Sequence, residues 1–258
     1  MHIVWVIGYF LYWVFILPIR VFVFALKGHF CRQMKIILTP FFLLLFLSSN
    51  AQYTESLNTT DNANDVFFNL NDRTKTVVPK TTWDIGFTTA GFDVSIIINE
   101  NQGVALYEYS SDTSAWMSVD TNGFDYASNR WYNSNESWSM GAFANNGESH
   151  PNYGWGTYTS SNHHVYGSKI FIIQVESAYY QIMIEELTVG CEFKFKIADI
   201  GGANTKKLSV KKSDFEGKNF FYYKLATQSV VDAEPMADAW QLLFSKYHAA
   251  DIGNYLVS

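Results

Sequence analysis

Cys191-Glu192-Phe193-Lys194-Phe195-Lys196-Ile197 is the stretch whose pattern decides the fold. Cys191, Phe193, Phe195 and Ile197 fall on one side of an extended chain, and Glu192, Lys194 and Lys196 on the other. A strand sends successive side chains to opposite faces, so a period of two marks a strand with one dry face and one wet face. Gly201-Gly202-Ala203-Asn204 then supplies turn chemistry, and Leu208 and Val210 alternate with lysines after it. These residues predict an antiparallel hairpin. Strands are also predicted upstream at 170–175 and 179–187, and downstream at 219–225, giving an antiparallel meander of five.

Working outward, shorter apolar segments predict strands at 66–70, 83–88, 92–98 and 103–109. Few prolines and many aromatic and β-branched residues fit the same class. The prediction is an all-β, antiparallel domain with a few short helical segments, preceded by N-terminal hydrophobic or signal helices. The pattern Trp-x-[Ile/Leu]-x-Phe occurs twice, at Trp83-Ile85-Phe87 and Trp240-Leu242-Phe244. On a strand each trio would share one face and pack into one core. Between 110 and 161 the alternation breaks, and Trp116, Trp131, Trp138 and Trp155 lie among Ser, Asn and Gly. This is either a surface region held down by aromatic plugs or a set of loops that build a ligand pocket.

The first 51 residues read differently. Met34-Lys35 starts a short positive segment, 36–47 is apolar, and Ser49 and Ala51 are small residues at −3 and −1 of a cleavage site. Residues 34–51 are therefore expected to be a signal peptide. Residues 1–33 are expected to be an upstream extension of a mis-assigned start; the rival is a membrane helix over 4–26. Residues 52–258 form the expected domain, exported to the exterior or the outer-membrane surface. Residues 254–258 read as a strand just beginning, so the domain is expected to be incomplete at its C-terminus.

Removing 1–51 removes four cations and no acids, which leaves 14 cations against 24 acids and a net charge of −10. That argues against nucleic acid and against anionic membrane surfaces, and no stable membrane insertion of the mature domain is expected. Cys191 has no partner cysteine in this part and is expected to be a small buried hydrophobe. Gly-x-Ser-x-Gly, His-Glu-x-x-His, Cys-x-x-Cys and a phosphate-cradling Gly loop are all missing, so the expected class is a binding domain and not an enzyme. Glu185 and Glu186 are adjacent, so on a strand they face opposite ways. The mature histidines are His150, His163, His164 and His248. Their spacing does not suit a zinc site, whereas a haem needs one or two axial His or Met ligands over an apolar pocket. If the doublet His163-His164 lies on a strand, one of the two faces a given site.

Several segments together resemble the HmuY-like haem-binding proteins of the Bacteroidetes group. Trp83-Asp84-Ile85-Gly86-Phe87 is similar to that family's Trp-Asp-[Ile/Leu]-Ala-Phe strand, and Asp238-Ala239-Trp240-Gln241-Leu242-Leu243-Phe244-Ser245-Lys246-Tyr247 to its second such element. Trp155-Gly156-Thr157-Tyr158, His163-His164-Val165-Tyr166-Gly167 and Lys169-Ile170-Phe171-Ile172-Ile173 resemble its central region, and 215–223 fits as well. The likeness runs from about Asp65 to Tyr255. Gln241 stands where an Asp is usual, which is expected to weaken a strand-edge hydrogen bond.

The resemblance implies a protein that binds haem and passes it to an outer-membrane haem receptor. It implies His163 or His164 as iron ligand, with His150, Met140 and Met117 as candidates for a second. Trp155 and Tyr158 would cover the porphyrin, and Lys169 would meet a propionate. The alternative expectation is a surface adhesin or glycan-binding β-domain in which exposed Trp and Tyr stack on sugar rings.

Overall fold

The computed structural model describes residues 54–57, 63–137, 140–249 and 253–257. The chain divides into two compact units, Met1–Ser56 and Leu57–Ser258. The expectations for 1–33 and 34–51, and Trp138, lie outside the described residues. Among the described residues no helix is long and apolar enough to cross a membrane.

The second unit is antiparallel β with short 3-10 turns, as predicted. Its largest sheet has the order β12 (Lys206–Lys211), β11 (Glu192–Asp199), β10 (Ala178–Leu187), β9 (Ile170–Val175), β5 (Ala105–Ser110) and β6 (Arg130–Trp131). The hairpin of β7 (Gly156–Thr159) and β8 (His164–Gly167) joins it where β8 pairs with β10. A second sheet runs β14 (Ser229–Val231), β13 (Phe220–Lys224), β3 (Ile85–Thr88) and β4 (Ile96–Ile98). A third runs β16 (Gly253–Val257), β15 (Leu242–Ala249), β1 (Asn64–Phe68) and β2 (Lys75–Pro79).

The opening hairpin forms as predicted, and its register sets Phe193 opposite Val210 and Phe195 opposite Leu208. Its turn uses left-handed backbone at Gly201 (φ 87°) and Gly202 (φ 83°), a conformation that carries no penalty in glycine. Cys191 departs from its expectation. It stands at the corner before β11 with φ 57°, partly exposed, and its N–H donates to Thr188 O at 2.9 Å. The dry face therefore begins at Phe193.

The predicted meander of five is a meander of four. β9 to β12 are neighbours in the first sheet, whereas β13 pairs with β3 in the second. The reason lies in Phe220-Phe221-Tyr222-Tyr223, which does not alternate. Phe221 and Tyr223 enter the central core, while Phe220 and Tyr222 pack in a separate cluster on the other face. A strand dry on both faces needs cover on both sides, which a sheet edge cannot provide.

The first two sheets pack face to face. Phe87 of β3 stacks on Phe221 at 4.8 Å and on Phe195 at 4.8 Å, with Phe193 edge-on at 5.3 Å. The opposite face of the large sheet is covered by the chain around the 3-10 turn Thr113–Ser118, where Trp116 and Val119 bury Tyr107, Ile170, Ile172 and Met183. Buried Gln181 anchors this cover. Its Nε2 donates to Trp116 O at 2.7 Å, and its Oε1 accepts from Gly201 N at 2.9 Å and Gly202 N at 3.1 Å. This part of the 110–161 region is thus an aromatic plug.

The repeated Trp-x-[Ile/Leu]-x-Phe strands do not share one core, because β3 and β15 belong to different sheets. Trp83 also lies before its strand and packs on Tyr222 at 4.8 Å, on the face opposite Ile85 and Phe87. The echo is local. Each Trp follows a 3-10 turn, Lys80–Thr82 or Ala237–Ala239, in extended backbone. Asp84 N donates to Tyr223 O at 3.0 Å, and Leu225 N donates back to Asp84 Oδ2 at 2.7 Å. Gln241 N donates to Phe68 O at 3.0 Å, and Leu70 N donates back to Gln241 Oε1 at 2.8 Å. Gln241 therefore makes the clamp that it was expected to weaken.

Phe87 is fully buried among rings from both sheets. Phe87→Ala is expected to lower unfolding stability by about 3–5 kcal/mol. Urea titration should show a reduced midpoint with an unchanged slope; a loss under about 1 kcal/mol would remove the stack as the sheet-to-sheet anchor.

Candidate functional site

The chain between β6 and β7 hangs on the edge of β4. Gly141 N donates to Ser95 Oγ at 3.1 Å, Phe143 N to Ile96 O at 3.3 Å, and Trp155 Nε1 to Val94 O at 3.1 Å. Phe143 and Trp155 plug into the core at 0% exposure. Gly141 is needed at this contact, since a Cβ there would lie 2.3 Å from Ile96 O. Between the two plugs the chain loops out and returns beside β7, where Tyr158 N donates to Pro151 O at 2.8 Å and Asn152 bridges to Thr157. The His150–Pro151 peptide is cis.

This path carries His150 onto the β7–β8 hairpin. The His150 and Tyr158 rings lie 4.7 Å apart, and the Tyr158 and His163 rings 6.0 Å apart. Phe92 stands edge-on to Tyr158 at 6.4 Å. His163 closes the hairpin turn in left-handed backbone (φ 60°), a region in which His is enriched, and its N–H donates to Thr159 O at 2.9 Å. His163 Nδ1 is hydrogen-bonded to the Tyr158 hydroxyl, and His150 Nδ1 to the Tyr153 hydroxyl at 3.2 Å. Both imidazoles are exposed. Among the described residues neither Nε2 has a hydrogen-bond partner.

The doublet does not lie on one strand: His163 belongs to the turn, and the two imidazoles part there. His164 begins β8, and its Nδ1 meets Glu186 Oε1 at 2.5 Å. Glu186 also accepts from Lys194 at 2.7 Å, and that lysine, followed by His164, holds its carboxyl below the usual range. β8 follows β9 along one edge of β10, and on the other edge a bulge between Ile184 and Glu186 shifts the pairing with β11. Gly167 marks the crossing, since a Cβ there would overlap Ile184 O at 1.7 Å.

The structure thus brings His150, Tyr158 and His163 together and sends the other candidates elsewhere. Trp155 is core and has no face for a porphyrin. Lys169 donates to the Glu108 carboxylate and lies 5.6 Å over the Trp131 ring. Met117 packs on Gly202 beside Gln181, five positions along β10 from Glu186, a separation of roughly 16 Å. Trp131 is 5% exposed, so neither it nor Trp155 forms an open platform for a sugar ring. Tyr153 and Phe92 were absent from the sequence reading, because nothing in a loop sequence shows which ring will meet which. Among the described residues no group of three or more His, Cys, Asp or Glu is placed to hold a metal ion.

Met140 borders a different feature. A cavity of about 330 Å³ lies between the outer face of the β13–β3–β4 sheet and the β1–β15 pair. Trp83, Ile97 and Tyr222 wall one side, and Phe67 and Leu243 line it as well. Glu100 and Glu234, both buried, supply carboxylates. Glu234 accepts from Phe220 N at 3.1 Å and from the Tyr222 hydroxyl at 2.8 Å. Burial raises its carboxyl above the usual range, and raises the Tyr222 phenol well above its own. Glu100 accepts from Asn133 Nδ2 at 3.0 Å. Burial pushes its carboxyl up to about 7, against the opposing pull of Asn133 and Arg130. Asp65 at the cavity wall is paired with the fully buried Lys80 ammonium at 2.6 Å and accepts from the Ser245 hydroxyl at 2.6 Å. These buried polar groups escaped the sequence reading because they are scattered over five separate segments.

No protein-family model, no curated protein and no solved structure matches the chain.

Because the folded-state value of Glu100 lies above that of the unfolded chain, the folded state holds the extra proton between the two values. Stability from this group is full below the unfolded value and falls as pH rises towards about 7. Glu100→Gln is expected to remove this slope and to be the more stable protein at alkaline pH, by an amount on the order of 3 kcal/mol. Denaturation midpoints measured against pH test it; parallel curves for the two proteins would refute it.

Proposed function

We propose that the domain is a haem-binding carrier of the HmuY-like type, exported by the 34–51 signal and delivering haem to an outer-membrane receptor. One observation carries the reading. Two exposed imidazoles flank Tyr158, and each ties Nδ1 to a tyrosine hydroxyl while leaving Nε2 without a partner. Metal-binding histidines are oriented in this way, with the second ring nitrogen held by a hydrogen bond and the first left neutral for the metal. His163 Nε2 would hold the haem iron, and His150 Nε2 is the candidate for a second ligand. Tyr158 and Phe92 supply aromatic surface for the porphyrin. Ferric and ferrous chemistry would belong to the haem; the chain would hold, orient and release it. Haem ligation by one or two side chains does not require three converging ligands.

Titration of the purified chain with haem should give a saturable shift of the Soret band at one equivalent. His163→Ala should weaken binding by at least about tenfold, and His150→Ala should change the axial ligation spectrum. His164→Ala should leave both unchanged, because the His164 ring meets Glu186 and Tyr166, whereas His150 and His163 meet Tyr158. An unshifted band in the wild type, or an unaltered one in the His150→Ala/His163→Ala protein, would remove the reading.

A further inference from the structure

The cavity beside Met140 is separate from the histidine cluster, and its chemistry points to another ligand. Its walls are aromatic and aliphatic: Trp83, Ile97, Phe67, Tyr222 and Leu243. Its size is at the lower end for small-molecule sites. The polar atoms it offers are mainly acceptors. Two of its three carboxylates are already provided for: Asp65 by Lys80 and Ser245, and Glu234 by Tyr222 and backbone N–H groups. Glu100 is different. Its hydrogen bonds come from the backbone N–H and the side-chain amide of Asn133, an uncharged residue whose side chain also spends both amide ends on Ile98, and Arg130 acts on it through its charge without a hydrogen bond. Next to it Asn101 Oδ1 is buried with no hydrogen-bond partner. Lys246 lines the cavity where it repels the Lys80 ammonium, beside the Asp65 pair.

We propose that this cavity binds a small apolar cation, an arylalkyl or alkyl amine whose ammonium pairs with the Glu100 carboxylate and donates to Asn101 Oδ1 while its body fills the space between Trp83, Ile97 and Phe67. An ammonium has three donors and no acceptor, which complements a carboxylate beside an orphan carbonyl oxygen. A buried carboxylate with a neutral partner is costly, and a bound cation relieves that cost. The raised Glu100 carboxyl is the sign of this cost. An alcohol of the same shape would fill the walls without compensating the charge, and a carboxylic acid would add a like charge.

Three probes of one shape test the proposal: phenethylamine, phenethyl alcohol and phenylpropionate, each titrated calorimetrically into the purified full chain at neutral pH. The amine is expected to bind at least about tenfold more tightly than either of the others. Glu100→Gln should reduce amine affinity by about tenfold and leave the alcohol unchanged. Ile97→Phe, which fills the cavity from its wall, should abolish binding of all three probes. Unfolding midpoints of both variants show whether each is folded, and the two act through different atoms, so one folded variant is enough for the decision. The proposal is overturned if the acid or alcohol binds as tightly as the amine, if a folded Glu100→Gln protein binds the amine like wild type, or if millimolar amine gives no binding heat.

Discussion

Phe87 stands where the two main sheets meet, stacked on Phe221 within its own sheet and on Phe195 across the interface. Offset and edge-on aromatic pairs add directional preference to a large buried area, so this group sets the relative placement of the sheets as well as their adhesion. Other features depend on that placement. It holds β3 and therefore β4, from whose edge the 141–155 chain hangs through Ser95, Ile96 and Val94. It also turns the outer face of β3 and β13 towards β1 and β15, and the cavity is the space left between them. The chain that carries His150 and the wall of the cavity are thus both attached to the sheet that this aromatic contact anchors.

A second constraint is the paired clamp at Asp84 and Gln241. In both places a 3-10 turn delivers an extended Trp, and the next side chain accepts from the N–H two residues past the partner strand's acceptor. The clamp ends the neighbouring strand and spares its next N–H from being left unpaired, which a buried backbone group cannot tolerate cheaply. A carboxylate and an amide oxygen serve equally in this role, since both accept. Asp84 differs in also pairing with Lys224 at 2.7 Å. That explains why the sequence echo is strong at the apolar positions and loose at this polar one.

The site was legible in part. The histidine doublet, Tyr158 and His150 could be named from residue type, but what separates His163 from His164 is the turn that ends at His163, not the alternation of a strand. Their meeting could not be read from the chain, because it depends on two plugs, Phe143 and Trp155, that anchor the loop on either side of His150. Trp155 illustrates the ambiguity: an aromatic in a loop-rich segment reads equally as ligand cover or as core, and burial decides. Met140 and Met117 were grouped by nearness in sequence, yet one borders the cavity and the other packs on the Gly202 turn.

The sequence by itself determined the β class, the strands β9 to β12 and the β11–β12 hairpin with its one wet face, because each rests on a local period of two and on turn residues close in the chain. It also supplied the residue types, a histidine doublet with His150 and Tyr158 nearby in the chain, and the excess of acids after residue 51. Tertiary structure decided which sheet receives β13, since a strand dry on both faces is defined by what lies on each side of it. It also decided which of eight candidate residues meet, and that Glu100 is buried beside an apolar cavity. Those outcomes depend on contacts between segments far apart in sequence, and the free energy that selects among them is the burial of whole faces, which no local pattern encodes.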